Sequence, residues 1–196
     1  DVGGWYDAGD FDIQTGSHNS VVSNLVDSWE EFKITRDQTF VDQATRFVDI
    51  HRPDGKPDIL QQIEHGAFNL FAQIENFGHP VRGIIVPNLY QYHHLGDALT
   101  ETDNLPYNPN LKPYETDGKS SGTMDDRWVF TTRSAMTDLS TASALAAASR
   151  TLKDHNKALA DRCLAAAVKM WDENVNKPAP APAAAPQQGG GGFGGG

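Results

Sequence analysis

The sequence predicts an all-α fold built as an array of inner and outer helices. Apolar residues recur at helical spacing in several long segments, prolines and glycines punctuate those segments, and only Gly83-Ile-Ile-Val86 reads as a short strand. Residues 20–32 place Val21, Val22, Leu25, Val26, Trp29 and Phe32 along one stripe. Phe40, Val41, Ala44, Phe47 and Val48 repeat the spacing more loosely and predict a second helix, stopped by Pro53 and Gly55. Pro57 suits a first helical turn, and Ile59, Leu60, Ile63, Ala67, Leu70, Phe71 and Ile74 form a stripe that ends at Gly78-His-Pro80. Two alanine-rich helices follow over 137–152 and 157–174, and the short link Lys153-Asp-His-Asn156 predicts that they run antiparallel.

Between 81 and 130 the periodicity disappears, and prolines at 87, 106, 109 and 113 alternate with Tyr90, Tyr92, Tyr107, Tyr114 and Trp128. An irregular loop of about 50 residues exceeds what a connection needs, so it is expected to be functional or ordered by a ligand. Residues 178–196 carry proline, alanine, glutamine and glycine around a single Phe193, which predicts a disordered linker or tail after a folded unit over 1–177.

Composition narrows the chemistry. The 196 residues carry 26 acids against 16 bases, a formal charge of −10, which argues against a nucleic-acid partner but not against a neutral polysaccharide. The single cysteine, Cys163, excludes an intrachain disulfide and a thiolate metal cluster, and its alanine-rich setting predicts a small core residue. No apolar run approaches the roughly 20 residues that span a bilayer, so membrane insertion is not expected. The chain opens inside a motif, and an initiator methionine, an export signal and any preceding module are expected to be missing.

That motif is Asp1-Val-Gly-Gly-Trp-Tyr-Asp-Ala-Gly-Asp10. On a helix, Asp7 and Asp10 would share one face, close enough to hold a common water or cation, although either could instead cap the helix that follows. Gly3, Gly4 and Gly9 allow backbone shapes closed to other residues, and Trp5 and Tyr6 offer flat apolar faces of the kind on which sugar rings stack.

Gly-Gly-Trp-Tyr-Asp-Ala-Gly-Asp resembles the N-terminal signature of glycoside hydrolase family 9, inverting endoglucanases and related β-glycosidases with an (α/α)6 barrel. Arg127-Trp-Val-Phe130, the segments 140–150 and 160–171, and Asp54-Gly-Lys-Pro-Asp-Ile-Leu60 are similar to later pieces of the family in the same order. The resemblance covers residues 1 to about 173 and implies a partial barrel of five to six helices where a complete one has twelve. It implies cleavage of β-1,4-glucosidic bonds in cellulose or related β-glucans, with oligosaccharides also possible substrates and endo or exo action undecided.

Inversion needs a base to take a proton from water and an acid to protonate the leaving oxygen, about 6.5–9.5 Å apart. The resemblance implies Asp10 as base, with Asp7 helping to hold the water. The family's acid is a later glutamate with no counterpart here, and Glu64, Glu75, Glu101, Glu115 and Glu173 read as solvated surface residues. Trp128, His94, Trp5 and Tyr6 are candidate sugar contacts, with burial beside Val129 and Phe130 the alternative for Trp128. Adjacent His93 and His94 point in different directions, which argues against a zinc site between them. Catalysis implies no cofactor. A structural calcium stays open and unassigned, because Asp97, Asp103, Asp117, Asp125 and Asp126 lack the alternation of an EF-hand loop. Family analogy implies a secreted or periplasmic protein, and the sequence leaves the oligomeric state open. A noncatalytic, glycan-binding or purely structural helical fragment is the competing reading, since the acid is missing and helices of an incomplete barrel would expose apolar faces.

Overall fold

The computed structural model describes residues 2–7, 12–85 and 103–176. In chain order the elements are β1 (Ile13–Gln14), α1 (Thr15–Phe32), β2 (Phe40–Asp42), β3 (Phe47–Asp49), α2 (Asp58–Phe77), β4 (Gly83–Ile85), β5 (Trp128–Val129), α3 (Ala135–Leu152) and α4 (Lys157–Val175). The helices expected at 20–32, 57–77, 137–152 and 157–174 all form, within a few residues. The tail expected over 178–196 lies outside the described residues.

Two boundary signals have their structural counterparts. Gly78 takes a left-handed φ of 77° and its N–H bonds the Ile74 carbonyl at 2.8 Å, which ends α2. At the start of α4, the Asn156 side chain accepts from the Leu159 N–H at 3.1 Å.

The fifth expected helix is a hairpin. β2 pairs antiparallel with β3 in the register Phe40–Asp49, Val41–Val48 and Asp42–Phe47. The two Phe-Val-Asp triplets are strand-formers, and the residues between them make a turn. Asp42 Oδ1 accepts from the N–H groups of Ala44 at 2.9 Å and Thr45 at 3.3 Å, while Arg46 adopts a left-handed φ of 57°. Asp58, in the first turn of α2, accepts from the N–H groups of Gln38 and Thr39, which fastens the approach to this hairpin onto the helix.

A second departure from an all-α reading is a small sheet in the order β1-β4-β5. Ile13 pairs with Ile84 and Ile84 with Val129, and Ile13, Val81 and Ile84 form a minor core with Val129 against it. The part of the long loop within the described residues is irregular but pinned, since Ser121 bridges to both Tyr107 and Thr116.

The main core lies between the four helices. α3 touches α1, α2 and α4, and Ala142, Ala144, Leu145, Ala148 and Leu152 are all buried there. Small alanines let three helices approach one central helix closely. Cys163 is fully buried in this core, as expected, and burial pushes its thiol up to about 12. Among the described residues no helix is long and apolar enough to cross a membrane.

Candidate active site

Residues 2–7 lie across the start of α1 and the middle of α2, held there chiefly through backbone groups. Gly4 N–H donates to the His65 carbonyl at 2.9 Å, and the His65 ring donates from Nε2 to the Gly4 carbonyl at 2.7 Å. Asn69 Nδ2 donates to the Gly3 carbonyl at 3.2 Å, and Trp5 N–H donates to His18 Nε2 at 2.8 Å. This close approach explains the paired glycines. Gly3 and Gly4 have φ of 62° and 78°, and a Cβ on Gly3 would stand 2.2 Å from the His65 carbonyl oxygen.

Trp5 fills the gap between the two helices. Its indole Nε1 donates to Gln62 at 3.1 Å, its ring lies 5.6 Å from the His18 ring and 5.7 Å from the His65 ring, and Gly66 leaves space for its edge. Burial lowers the pKa of His18, reinforced by His65 and opposed by the hydrogen bond to the Gln14 carbonyl and by Asp7. Burial likewise lowers that of His65, against the bond to Gly4.

Asp7 is not helical. Its N–H donates to the Asp12 carbonyl at 2.6 Å in an antiparallel bridge. Nor does Asp7 cap α1, whose N-cap is Gln14. Its Oδ2 instead accepts from Gln14 Nε2 at 2.6 Å. Trp5, Tyr6, Asp7, Gln14, Ser17, His18 and Val21 line a cleft of about 100 Å³, room for about three waters. Asp10 and His94 lie outside the described residues, as do His93, Asp97 and Glu101.

The sheet brings a distant segment to this place. β5 carries Trp128, 63% exposed, so burial is not its role. Beside it, the Arg127 guanidinium stands 5.0 Å from the centre of the Tyr6 ring, and Tyr6 itself is 40% exposed. Arg127 thus meets Tyr6, although about 120 residues separate them.

None of the described glutamates lines the cleft beside Asp7. The surface reading needs correction at Glu64, whose side chain is 15% exposed: it accepts from Asn156 Nδ2 at 2.7 Å and lies 3.6 Å from His155. Ties between helices fix it there. Glu75 pairs with Arg162, and Glu173 with Arg133 at 2.5 Å.

Among the described residues no three His, Cys, Asp or Glu side chains gather as a metal site. The loop carboxylates accept from backbone instead: Asp126 from Tyr107 N–H at 2.6 Å, Asp125 from Asp103 N–H, and Asp117 from the N–H groups of Lys119 and Ser120.

Sequence reasoning singled out the motif and missed what holds it, namely His18, His65, Asn69, Gln62 and Gln14. A signal existed for α2. Gln62, His65, Gly66 and Asn69 recur at intervals of three or four on a helix otherwise read for its apolar stripe.

The sequence model that matches is that of Glycosyl hydrolase family 9, over residues 2–193. No curated protein matches significantly. Among solved structures, a metagenome-derived glycoside hydrolase family 9 endoglucanase matches at 22% identity and TM-score 0.56, with 89% of this chain and 26% of that one covered. AaCel9A in complex with cellobiose-like isofagomine matches at 18% and 0.55, covering 89% and 28%. A single-mutant thermostable endoglucanase from Alicyclobacillus acidocaldarius matches at 17% and 0.56, covering 90% and 28%. The chain therefore spans about a quarter of the length of the structures it matches.

Proposed function

The chain belongs to glycosyl hydrolase family 9, and from that premise we propose that it forms part of an (α/α)6 barrel that hydrolyses β-1,4-glucosidic bonds in cellulose or a related β-glucan with inversion. The observation that carries this reading is the exposed Tyr6 ring next to Asp7 in one small cleft, with the Arg127 guanidinium against that ring. An exposed aromatic ring beside a carboxylate suits a neutral sugar chain, whose C–H faces stack on rings while its glycosidic oxygen meets an acid or base.

In this mechanism Asp10 takes the proton from the attacking water, and Asp7 orients that water with a second acceptor. Gln14 fixes the rotamer of Asp7 through its 2.6 Å bond. Tyr6 and Trp128 face the sugar with His94 as a further contact, while Trp5 backs the segment from within. The general acid comes from outside this chain. By family analogy the protein is secreted or periplasmic.

The test is reducing-sugar release from a soluble β-1,4-glucan by residues 1–176 joined to the C-terminal remainder of a family 9 catalytic domain. Asp10→Asn is expected to lower kcat by about 10² to 10⁴, Asp7→Asn less, and Trp128→Ala chiefly to raise KM. A folded Asp10→Asn protein with undiminished turnover overturns the assignment.

A further inference from the structure

His18 and His65 hold consecutive residues of one segment in opposite chemical senses. His65 donates from Nε2 to the Gly4 carbonyl, so it needs a proton on that nitrogen. His18 accepts at Nε2 from the Trp5 N–H at 2.8 Å, so it needs a lone pair there, and its Nδ1–H donates to the Gln14 carbonyl at 3.1 Å. His18 is therefore a neutral imidazole in one tautomer, and both of its nitrogens are used.

The two rings respond differently to acid. A protonated His65 keeps its Nε2–H and still donates to Gly4. A protonated His18 sets N–H against the N–H of Trp5, and that bond cannot form. Asp7 follows Trp5 by two residues, and its carboxylate reaches Gln14 on the turn that His18 also grips. Release at Trp5 thus moves the base of the cleft that His18 and Asp7 line together.

We propose that His18 is a positioning residue: its neutral ring holds the segment that carries the water-activating aspartates, and its protonation lets that segment go. The inference rests on the catalytic reading above and adds to it which side chain sets the acid limit of the site. The titratable groups that face His18 are His65 from α2, which opposes protonation, and Asp7 from the N-terminal segment, which favours it. Gln14 on the same turn, and Gln62 and Asn69 on α2, are neutral.

The test uses the 196-residue chain labelled with ¹⁵N and titrated from pH 8 to pH 5. At pH 8, imaging of the ring nitrogens by NMR is expected to show His18 bare at Nε2 and His65 bare at Nδ1. On acidification the amides of Gly4 to Asp7 are expected to shift with the same midpoint as the His18 ring. In His18→Gln the side-chain oxygen accepts from Trp5 and does not titrate, so the amides stay at their alkaline positions and the transition disappears. In His18→Leu the Trp5 amide is expected to exchange about tenfold faster at pH 8, the loss of one net hydrogen bond.

A His18 proton on Nε2 at pH 8, unlinked midpoints, or a transition that persists in His18→Gln overturns the proposal. Those outcomes leave the catalytic reading standing, because Asp10→Asn decides that one separately. Conversely, an active Asp10→Asn enzyme with linked midpoints removes the catalytic reading and leaves the grip of His18 on the segment established.

Discussion

Replacing Gly4 by alanine tests the geometry of the site directly. A Cβ at Gly4 would lie 2.5 Å from His18 Nε2, 2.7 Å from Asn69 Cγ and 2.8 Å from Asn69 Cβ, at a φ of 78°. The left-handed backbone costs an alanine about 1–2 kcal/mol. Crowding against Asn69 adds about 1–3 kcal/mol, since its Cβ belongs to the packed helix and cannot swing aside. A displaced His18 loses its bond to Trp5, about 1 kcal/mol. The sum is about 3–6 kcal/mol, a large part of the 5–15 kcal/mol that stabilises a typical domain. Gly55 is the control, because its φ of 85° carries the same backbone cost with no atom within 4 Å.

Urea unfolding of both variants separates the terms, provided m is unchanged. Gly4→Ala is expected to lose about 2–4 kcal/mol more than Gly55→Ala. Detachment of the segment, which limits the global loss, reveals itself by a red shift of Trp5 emission as the indole leaves Gly66. Equal losses with unchanged emission would refute the packing described for residues 3–5.

Gly66→Ala meets Val22 Cγ2 at 2.5 Å and the Trp5 ring at 2.8 Å, so it is expected to destabilise by about 1–3 kcal/mol and to shift Trp5 emission as well. Because the pKa values of His18 and His65 are lowered on folding, the neutral rings stabilise the native state above the ordinary value of about 6.5, and that contribution is lost as pH falls below it. Urea midpoints should therefore drop between pH 7 and pH 5, and drop less in His18→Gln. Asp138 is fully buried and accepts from Arg133 Nε at 2.7 Å and Asn174 Nδ2 at 3.0 Å. Although Glu173 is the larger cause of the raised pKa of Arg133, Asp138 is the desolvated partner. Asp138→Ala should cost about 2–3 kcal/mol and Glu173→Ala less than about 1 kcal/mol, as thermal unfolding would show. Cys163, with its thiol near 12, should stay unlabelled by a disulfide reagent in the native chain and react fully in denaturant; rapid native labelling would mean that α3 and α4 open readily.

The legible part of the fold is the part written locally. Pro57 and Gly78 bound α2, and Lys153-Asp-His-Asn156 separates α3 from α4, because caps and breakers act within a turn of the chain. Residues 40–48 misled because two Phe-Val-Asp triplets, which start seven residues apart, place apolar side chains near helical spacing while each triplet prefers a strand. The sheet was illegible for a different reason. Strands of two or three residues carry almost no pattern, and the pairing of Ile13 with Ile84 and of Ile84 with Val129 exists only once the helices have packed. At the site, the motif advertised Asp7, Trp5 and Tyr6, but His18 lies between the motif and the apolar stripe over 20–32, where neither pattern marks it.

The site depends on contacts far apart in the chain. Gly3 and Gly4 are held by His65 and Asn69, more than 60 residues away, and Trp5 by His18 and Gln62 from two different helices. No local sequence could hold these glycines in place, because a pair of left-handed glycines has more freedom to lose on folding than any other dipeptide. Their order has to come from α1 and α2 already docked, and α3 touches both of those helices. The three-strand sheet extends the same dependence to Arg127 and Trp128, through β4 at the exit of α2 and β1 at the entrance of α1. The cleft beside Asp7 is therefore a property of the helical core, and a core substitution that loosens α1 from α2 disorders the N-terminal segment without touching any residue that lines the cleft.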